Sequence, residues 1–408
     1  MIDALLHHFS ALEDPRCAGK VEHQLLDIVV IAVCAVLACA ESFEDMALYG
    51  RSKLSWLQQF LALPNGIPSH DTFRRVLMLL QPQAFETCFQ AWTHGLSGLS
   101  EPLPREEIAI DGKTLRGSFD SRHQRGPLHL VSAWACAWAC ERSLSLGQRC
   151  VEHKSNEITA IPLLLESLHL ENSLITLDAM GCQTKIAQQI LDQKADYLLV
   201  LKANHRHDYN AVQAHFLNGS SPYPTGSPTG SPTESPTESP TGHLIFDAFD
   251  EGHGRLVRRR VFASQDPTLL AKLSSWPVRP AWPGLNIVLA LESIRSVKGW
   301  SNKSQPKVET QVRYFLCSAK DEPALLAQAI RRHWAIENNL HWVLDVTFHE
   351  DHSRVREHNA VCNWAMLRKI ALNLLGQDAT KISLKAKRKK AAWNNDYMAQ
   401  LLQGNCMR

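Results

Sequence analysis

Apolar residues recur at helical spacing through the first 95 residues of the chain. Apolar runs at 25–40, 54–61 and 73–80 are separated by turn-forming segments such as 64–71, which predicts a compact helical module. Ser69 or Asp71 is placed to cap the helix that follows, with Arg74 and Arg75 in its early turns. Such a module could read DNA, but its acidic residues outnumber its basic ones, which favours an ordinary packing domain.

From Glu107 the pattern changes to alternating strands and helices. Short apolar runs with β-branched residues predict strands, and longer amphipathic stretches predict helices. The predicted order is three strands (108–115, 129–138 and 143–151), a helix (157–168), a strand (173–180), a helix (182–193) and a strand (196–204). This order predicts an α/β fold with a mixed sheet and flanking helices.

The stretch 204–310 interrupts that alternation. Its SPT repeat is rich in Pro and Ser, which cannot build a core, so we predict a linker over 221–242. Strand-like segments follow at 243–249, 255–263 and 285–294, and they predict a β-rich insertion. The predicted domains are a helical N-terminal domain (1–95), a core in two parts (100–203 and 311–376), the insertion (204–310) and a basic C-terminal tail (377–408).

Composition narrows the class of protein. Hydrophobic residues make up 45% and charged residues 21%, the balance of a globular protein. The formal net charge is only +2, so any affinity for nucleic acid must come from local patches. Residues 381–393 hold six Lys or Arg and no acid, and either a solvated face or phosphate contact would explain them.

Cysteine usage and hydropathy indicate a cytoplasmic protein. The eleven cysteines include no CxxC pair, which is typical of reduced thiols and not of a disulfide framework or a zinc site. The most apolar stretch, Ile28 to Ala40, is too short to span a bilayer and predicts a buried helix. The first residues show no signal-peptide pattern.

Three acidic residues are the candidate chemistry. Asp111 and Asp178 each follow an apolar run, and Glu337 lies in a helical stretch. Such carboxylates can converge on two divalent cations, which activate a nucleophile and stabilise the leaving oxygen of a phosphodiester. Alternatively, each aspartate is a turn residue that accepts hydrogen bonds from its own backbone.

The surroundings of Glu337 carry a second pattern. His333, Glu337, His341 and Asp345 recur every four residues, which predicts one polar stripe on a helix with apolar flanks. A hydrogen-bonded helix interface would also explain the stripe. A zinc hydrolase would not, because the HExxH spacing is absent from it.

Four segments of the sequence together resemble the H-repeat-associated transposases, which are insertion-sequence transposases of the DDE class. The resemblance rests on IAIDGKTLRGS, HKSNEITAIP, LITLDAMGCQ and HWAIENNLHWVLDVTFHEDHSR, and it covers nearly the whole chain except the SPT repeat. It implies an RNase H-like fold in which Asp111, Asp178 and Glu337 are the catalytic, metal-binding residues. It also implies that residues 1–95 form the associated N-terminal domain.

The same resemblance implies the reaction and its partners. Two Mg²⁺ or Mn²⁺ ions would be the cofactors, since carboxylates suit both metals. The partners would be double-stranded DNA, as element ends and as target, and further copies of the chain. The enzyme would hydrolyse the element's ends, and the freed 3′-hydroxyl would attack target DNA. A DNA-binding remnant without activity and a metal nuclease that cuts without joining remain alternatives.

One departure from the family pattern concerns the residues around the glutamate. Related transposases carry Tyr, Arg and Lys there, whereas this chain has Ile330, His333 and either His341 or Leu344. His333 could replace the arginine as a phosphate ligand when it is charged. The candidate DNA-contacting residues are Lys113, Arg116, Lys154, Lys202, Arg255, Trp300, His333, His341, Arg354, Arg356, Lys387 and Arg388.

Overall fold

The chain forms two compact units. The computed structural model describes residues 3–96, 105–121, 123–136, 143–151, 156–218, 242–252, 255–274, 281–297 and 307–403. The first unit comprises Met1–His169 and Trp334–Arg408, and the second comprises Leu170–His333. These units are divided differently from the five predicted domains, whose boundaries stay predictions. The predicted SPT linker lies almost entirely outside the described residues.

The N-terminal part of the first unit is helical, as predicted. Its helices are α1 (Asp3–Phe9), α2 (Leu25–Leu37), α3 (Phe43–Ser52), α4 (Leu54–Leu57), α5 (His70–Leu79) and α6 (Pro82–Leu96). Ser69 caps α5 by accepting a hydrogen bond from the backbone N–H of Thr72 at 3.2 Å. Helix α2 is buried along nearly its whole length, which explains its apolar sequence. None of the described helices is long and apolar enough to cross a membrane.

Three antiparallel strands and a helix complete the N-terminal half of this unit. They are β1 (Glu106–Thr114), β2 (His129–Cys136), β3 (Leu144–Val151) and α7 (Glu157–Ser167). Strand β2 pairs with both β1 and β3, and Asp111 of β1 lies opposite Ser132. Helix α7 packs on β2 and β3.

The second unit is a mixed sheet with helices packed on it. Its elements are β4 (Ser173–Leu177), α8 (Thr184–Asp192), β5 (Asp196–Leu201), α9 (Arg206–Asn218), β6 (His243–Gly252), β7 (Arg255–Ser264), α10 (Pro267–Ser274), β8 (Ile287–Val297), β9 (Lys307–Cys317) and α11 (Pro323–His333). The strand order is β4-β5-β9-β8-β7-β6, with β4 and β5 parallel and the other pairs antiparallel. The strands of the predicted insertion therefore continue this sheet instead of forming a separate one.

The chain then returns to the first unit. A π-helical segment (Glu337–His341) is followed by α12 (Trp342–Thr347), α13 (His358–Gly376), α14 (Leu384–Trp393) and α15 (Asn395–Gln403). Helix α13 is buried over most of its length and packs against α2, α5 and α6. The predicted basic tail is thus folded over its described residues, with Met398 and Leu401 of α15 in the core.

Two further predictions need correction. The prediction of reduced thiols without disulfides is wrong for one pair, because Cys150 of β3 and Cys362 of α13 form a disulfide bond with their Cα atoms 6.1 Å apart. The prediction of one regular helix through 333–345 is also wrong, because α11 ends at His333 and the π-helical segment intervenes before α12. The predicted mixed α/β class with a helical N-terminal region is confirmed.

Candidate active site

Asp111 lies in the middle of β1, with its side chain one-fifth exposed. Its Oδ2 atom is 3.5 Å from Nδ1 of His341, which extends from the π-helical segment of the same unit. Burial, together with the positive charges of Lys113 and Lys369, lowers the pKa of His341 to about 3. His341 is therefore a neutral imidazole at physiological pH, and it is placed to orient Asp111 by polar contact and not by charge.

Lys113 lies two residues beyond Asp111, on the same face of β1. Its ammonium group donates to Oε2 of Glu350 at 2.7 Å and also to the Asp345 carboxylate. Burial opposes the charge on Lys113, but the two carboxylates outweigh burial and raise its pKa. This lysine is held within the unit, so its contacts favour a positioning role beside Asp111 over the predicted phosphate contact.

Glu350 is the centre of a buried polar network beneath these residues. Its side chain is 1% exposed, and Arg368 of α13 lies 3.7 Å from its Oε1 atom. Burial opposes ionisation of Glu350, but Lys113, Arg368 and Lys369 outweigh it and lower its pKa. Lys369 donates to the side chain of Gln148 at 2.6 Å, and burial lowers its pKa to about 8. The network fixes α13 against β1 and β3.

A second buried pair lies against the backbone next to Asp111. Nε2 of His129 on β2 contacts the carboxylate of Glu157 on α7, and Nδ1 of His129 shares a hydrogen bond of 3.0 Å with the hydroxyl of Thr114. A Cβ atom at Gly112 would lie 2.5 Å from Nε2 of His129 and still closer to the Glu157 carboxylate. Only glycine at position 112 allows this close approach, which fixes β1 directly beside Asp111.

Glu337 begins the π-helical segment. The backbone N–H of Trp342 donates to the carbonyl of Glu337, which is the i to i+5 bond of a π-helix. The Glu337 side chain is exposed, whereas its neighbours Ile336 and Leu340 are buried. The two apolar side chains therefore anchor the segment and leave the carboxylate accessible. Such π segments occur frequently at functional sites.

Asp178 belongs to the second unit and directly follows β4. Its Oδ1 atom accepts hydrogen bonds from the backbone N–H groups of Met180 (2.9 Å) and Gly181 (3.4 Å). The Oδ1 atom therefore behaves as the alternative interpretation expects of a turn residue, since it accepts hydrogen bonds from the adjacent backbone. Its Oδ2 atom has no hydrogen-bond partner among the described residues, which leaves one oxygen for a ligand.

His333 is also in the second unit, at the end of α11. It shares a hydrogen bond of 2.8 Å with the hydroxyl of Thr176 on β4. Burial lowers its pKa to about 4, although the nearby Asp178 carboxylate acts in the opposite direction. A buried, neutral imidazole lacks the charge that an arginine would bring to a phosphate, and the role of His333 as a phosphate ligand stays a prediction.

The donor chemistry of the three predicted carboxylates suits divalent cations that prefer oxygen ligands. Asp111 and Glu337 belong to the first unit and Asp178 to the second. Within the part of the chain that the structure describes, no three His, Cys, Asp or Glu side chains form a group that could hold a metal ion. The assignment of a shared metal site to these residues stays a prediction.

The candidate DNA-contacting residues differ in exposure. Arg116, Lys202 and Arg354 are exposed, and Arg356 is half-buried. The Arg116 side chain is 83% exposed and 3.7 Å from the Asp351 carboxylate. Lys154, Trp300 and the side chain of Arg255 lie outside the described residues.

Lys387 and Arg388 have structural roles. Both side chains are buried, although they belong to the basic segment of the sequence. Lys387 donates to the backbone carbonyl of Leu375, and Arg388 donates to those of Val36 and Thr347. Because these contacts join α14 to α2, α12 and α13, we assign neither residue to a DNA surface.

The polar networks around Asp111 were missed by sequence reasoning. Glu350, Arg368, Lys369, His129 and Glu157 received no role from the sequence. Glu157 and Glu350 do lie in the motifs HKSNEITAIP and VTFHEDHSR, and that position was the one available signal. Their partners are distant in sequence, so the sequence did not reveal the pairs.

Comparisons with known proteins agree on one family. A family model described as DDE_Tnp_1-associated matches residues 6–93, and one described as Transposase DDE domain matches residues 102–374. "Putative transposase YncI" of Escherichia coli O157:H7 is 39% identical over 98% of this chain and 95% of its own length. "H repeat-associated putative transposase YhhI" of Escherichia coli K12 is 36% identical over 98% of both chains.

A solved structure is a more remote match. It is the cryo-EM structure of a piggyBac transposase synaptic complex with hairpin DNA, with a TM-score of 0.40 and 11% identity over 98% of this chain and 77% of that one. This likeness is too weak to support an argument.

Proposed function

This chain belongs to the DDE transposases, and on that premise we propose that it cuts the ends of an insertion sequence and joins them to target DNA. The RNase H-like fold that the resemblance implies is part of the same proposal. The observation that carries the proposal is the match of the DDE domain model to residues 102–374, a range that contains all three candidate carboxylates. The position of Asp111 on a strand that pairs with β2 and is closely packed at Gly112 supports it.

We assign Asp111, Asp178 and Glu337 as the ligands of a pair of Mg²⁺ or Mn²⁺ ions. Such ions activate the attacking water or 3′-hydroxyl and stabilise the leaving oxygen. The exposed Glu337 carboxylate and the free Oδ2 atom of Asp178 suit this role. All three donors are carboxylates, the ligand type that these metals prefer.

The surrounding residues hold the reacting groups in place. His341 contacts Asp111 without adding charge, and Lys113 is balanced by Glu350 and Asp345. A carboxylate supported by such neighbours keeps its orientation when substrate binds, and precise orientation contributes strongly to rate. The DNA partner, self-association on paired ends and a cytoplasmic location are parts of the same proposal.

The test uses the full chain and DNA that carries the genomic sequence flanking its reading frame. We expect Mg²⁺-dependent cuts at matched inverted ends and joined products, both abolished by chelator. Asp111→Ala, Asp178→Ala and Glu337→Ala should each abolish cleavage and leave DNA binding intact. Asp192→Ala, at the end of α8, is the matched control and should cleave normally.

Other outcomes of this test would refute the site assignment or favour one of the alternative functions. Full cleavage by any of the three carboxylate variants would refute the site assignment. DNA binding without metal-dependent cuts would favour a remnant that has lost activity. Cut ends that are never joined would favour a nuclease. Calorimetric titration of Mn²⁺ into the wild type and Glu337→Ala tests the metal ligands without relying on activity.

A further inference from the structure

A pocket of about 240 Å³ lies in the first unit, and none of the three candidate carboxylates lines it. Residues from the loop between β1 and β2 and from the segment that leads into α13 line it, and they include Ser118, Arg125, Gly126, Arg356 and His358. The lining contains no acidic residue. Pockets for drug-sized ligands measure roughly 300–1,000 Å³, so this one suits a smaller group.

The positive charge of the pocket comes from its two arginines. Neither the Arg125 nor the Arg356 guanidinium forms an ion pair with any residue that the structure describes. Arg356 is half-buried and lines the pocket, and within the described part of the chain its buried Nε atom has no hydrogen-bond partner. A partly buried guanidinium group with an unsatisfied atom is costly, and an acceptor in the pocket would stabilise its charge. Arg125 is exposed, so a ligand can reach it from solvent.

The N-terminal end of helix α13 borders the pocket. It is 19 residues long and begins at His358, which lines the pocket. The preceding residue, Glu357, makes no side-chain capping hydrogen bond. The N–H groups of a first helical turn lack partners within the helix, and the N-terminal end of a helix favours an anion.

We infer that this pocket binds a phosphate of the DNA backbone. Two guanidinium groups match the oxygens of a phosphate in geometry and charge, and the helix terminus adds N–H donors. The inference rests on the proposed function for the source of the phosphate. The exposed Arg116 lies between Asp111 and Ser118 in the chain, so the loop after β1 connects the two sites. A phosphate held here would fix the position of a DNA strand relative to Asp111.

The test measures the salt dependence of DNA binding by the full chain in the presence of chelator. A labelled duplex of unrelated sequence is the probe, because phosphate contacts are independent of sequence. Each neutralised phosphate contributes about 0.9 to the slope of log K against log salt concentration. Arg356→Gln and Arg125→Gln should each lower the slope by about 0.9 and weaken binding about tenfold at fixed salt.

Arg51→Gln is the matched control, since Arg51 is an exposed arginine on α3. Its slope should equal that of the wild type. Arg125→Gln changes an exposed side chain, so it keeps the test valid if Arg356→Gln does not fold, which circular dichroism would reveal. Slopes of both pocket variants equal to that of Arg51→Gln would overturn the inference.

Competition with inorganic phosphate distinguishes a phosphate of the DNA backbone from a free anion as the ligand. If inorganic phosphate competes with DNA for the wild type but not for Arg356→Gln, and the salt slope also changes, the ligand is a DNA phosphate. Phosphate binding without any effect of Arg125→Gln or Arg356→Gln on DNA affinity would overturn it in favour of a free anion. The binding test is run with chelator and does not depend on cleavage. If both variants lower the salt slope but the wild type never cuts DNA, the inference about the pocket is supported and the proposed activity is refuted.

Discussion

Removal of the Glu350 carboxylate should destabilise the first unit strongly. Glu350 is fully buried; its Oε2 atom accepts a hydrogen bond from Lys113 at 2.7 Å, its Oε1 atom forms an ion pair with Arg368 at 3.7 Å, and Lys369 is close enough to influence it. Glu350→Ala leaves these buried cations with less negative charge around them. Asp345 still faces Lys113, but it does not replace the contact with Arg368.

The expected loss of stability in Glu350→Ala follows from the burial of the network. Loss of one partner from a buried ion pair costs about 3–5 kcal/mol, because the other charge remains uncompensated. The first unit contains 244 residues. For 150–250 residues, 1 kcal/mol corresponds to roughly 2–4 °C in Tm. The Tm of Glu350→Ala should therefore lie about 6–20 °C below that of the wild type.

Thermal unfolding followed by circular dichroism at neutral pH, without DNA or metal, measures this difference. Asp345→Ala is the matched control, because its side chain is 33% exposed and it contacts the same lysine. That variant should lose about 1 kcal/mol or less. Glu350→Gln keeps the size of the side chain and removes its charge, so it should unfold nearly as early as Glu350→Ala.

Two results would refute the reasoning. A Tm for Glu350→Ala no lower than that of Asp345→Ala would mean that the buried cations do not depend on Glu350. A Tm for Glu350→Gln close to the wild type would mean that packing, and not charge, determines the effect.

The other predictions concern Gly112 and Glu86. Gly112→Ala should displace Glu157 and lower stability by about 1–3 kcal/mol in urea unfolding, whereas Gly19→Ala, where a Cβ meets nothing within 4 Å, should not. Burial raises the pKa of Glu86 to about 7, although Arg149 opposes the shift. Because the folded pKa exceeds the unfolded one, the Glu86 contribution is present at low pH and is lost as pH rises to about 7. Stability relative to Glu86→Gln should therefore fall by roughly 3 kcal/mol from pH 4.5 to 7, and an unchanged difference would contradict this.

Much of the fold could be predicted because its signals are local. The strands that carry Asp111 and precede Asp178 are apolar runs bounded by polar or turn-forming residues, and Ser69 is a capping residue in front of an amphipathic stretch. Each depends on neighbours within a few positions, where propensity and periodicity act.

The features that the sequence did not reveal depend on residues far apart in the chain. The disulfide joins Cys150 to Cys362 across 212 residues, and no spacing pattern marks such a pair. Lys387 and Arg388 look like a solvated charge run, but packing of α14 buries them against backbone carbonyls. Burial of a charge is a property of the tertiary fold, so local composition could not predict it.

The π-helical segment at Glu337–His341 affects how relatives should be aligned. A π turn holds one residue more than an α turn, so deletion of one residue there would restore a regular helix. Because the π turn accommodates its extra residue within about one rotation, helix α12, including Asp345, would keep nearly the same face relative to Glu337. A relative that lacks one residue in this stretch can therefore present equivalent side chains, provided that the alignment gap lies inside the segment. A gap placed elsewhere would shift every aligned residue by about 100° around the helix.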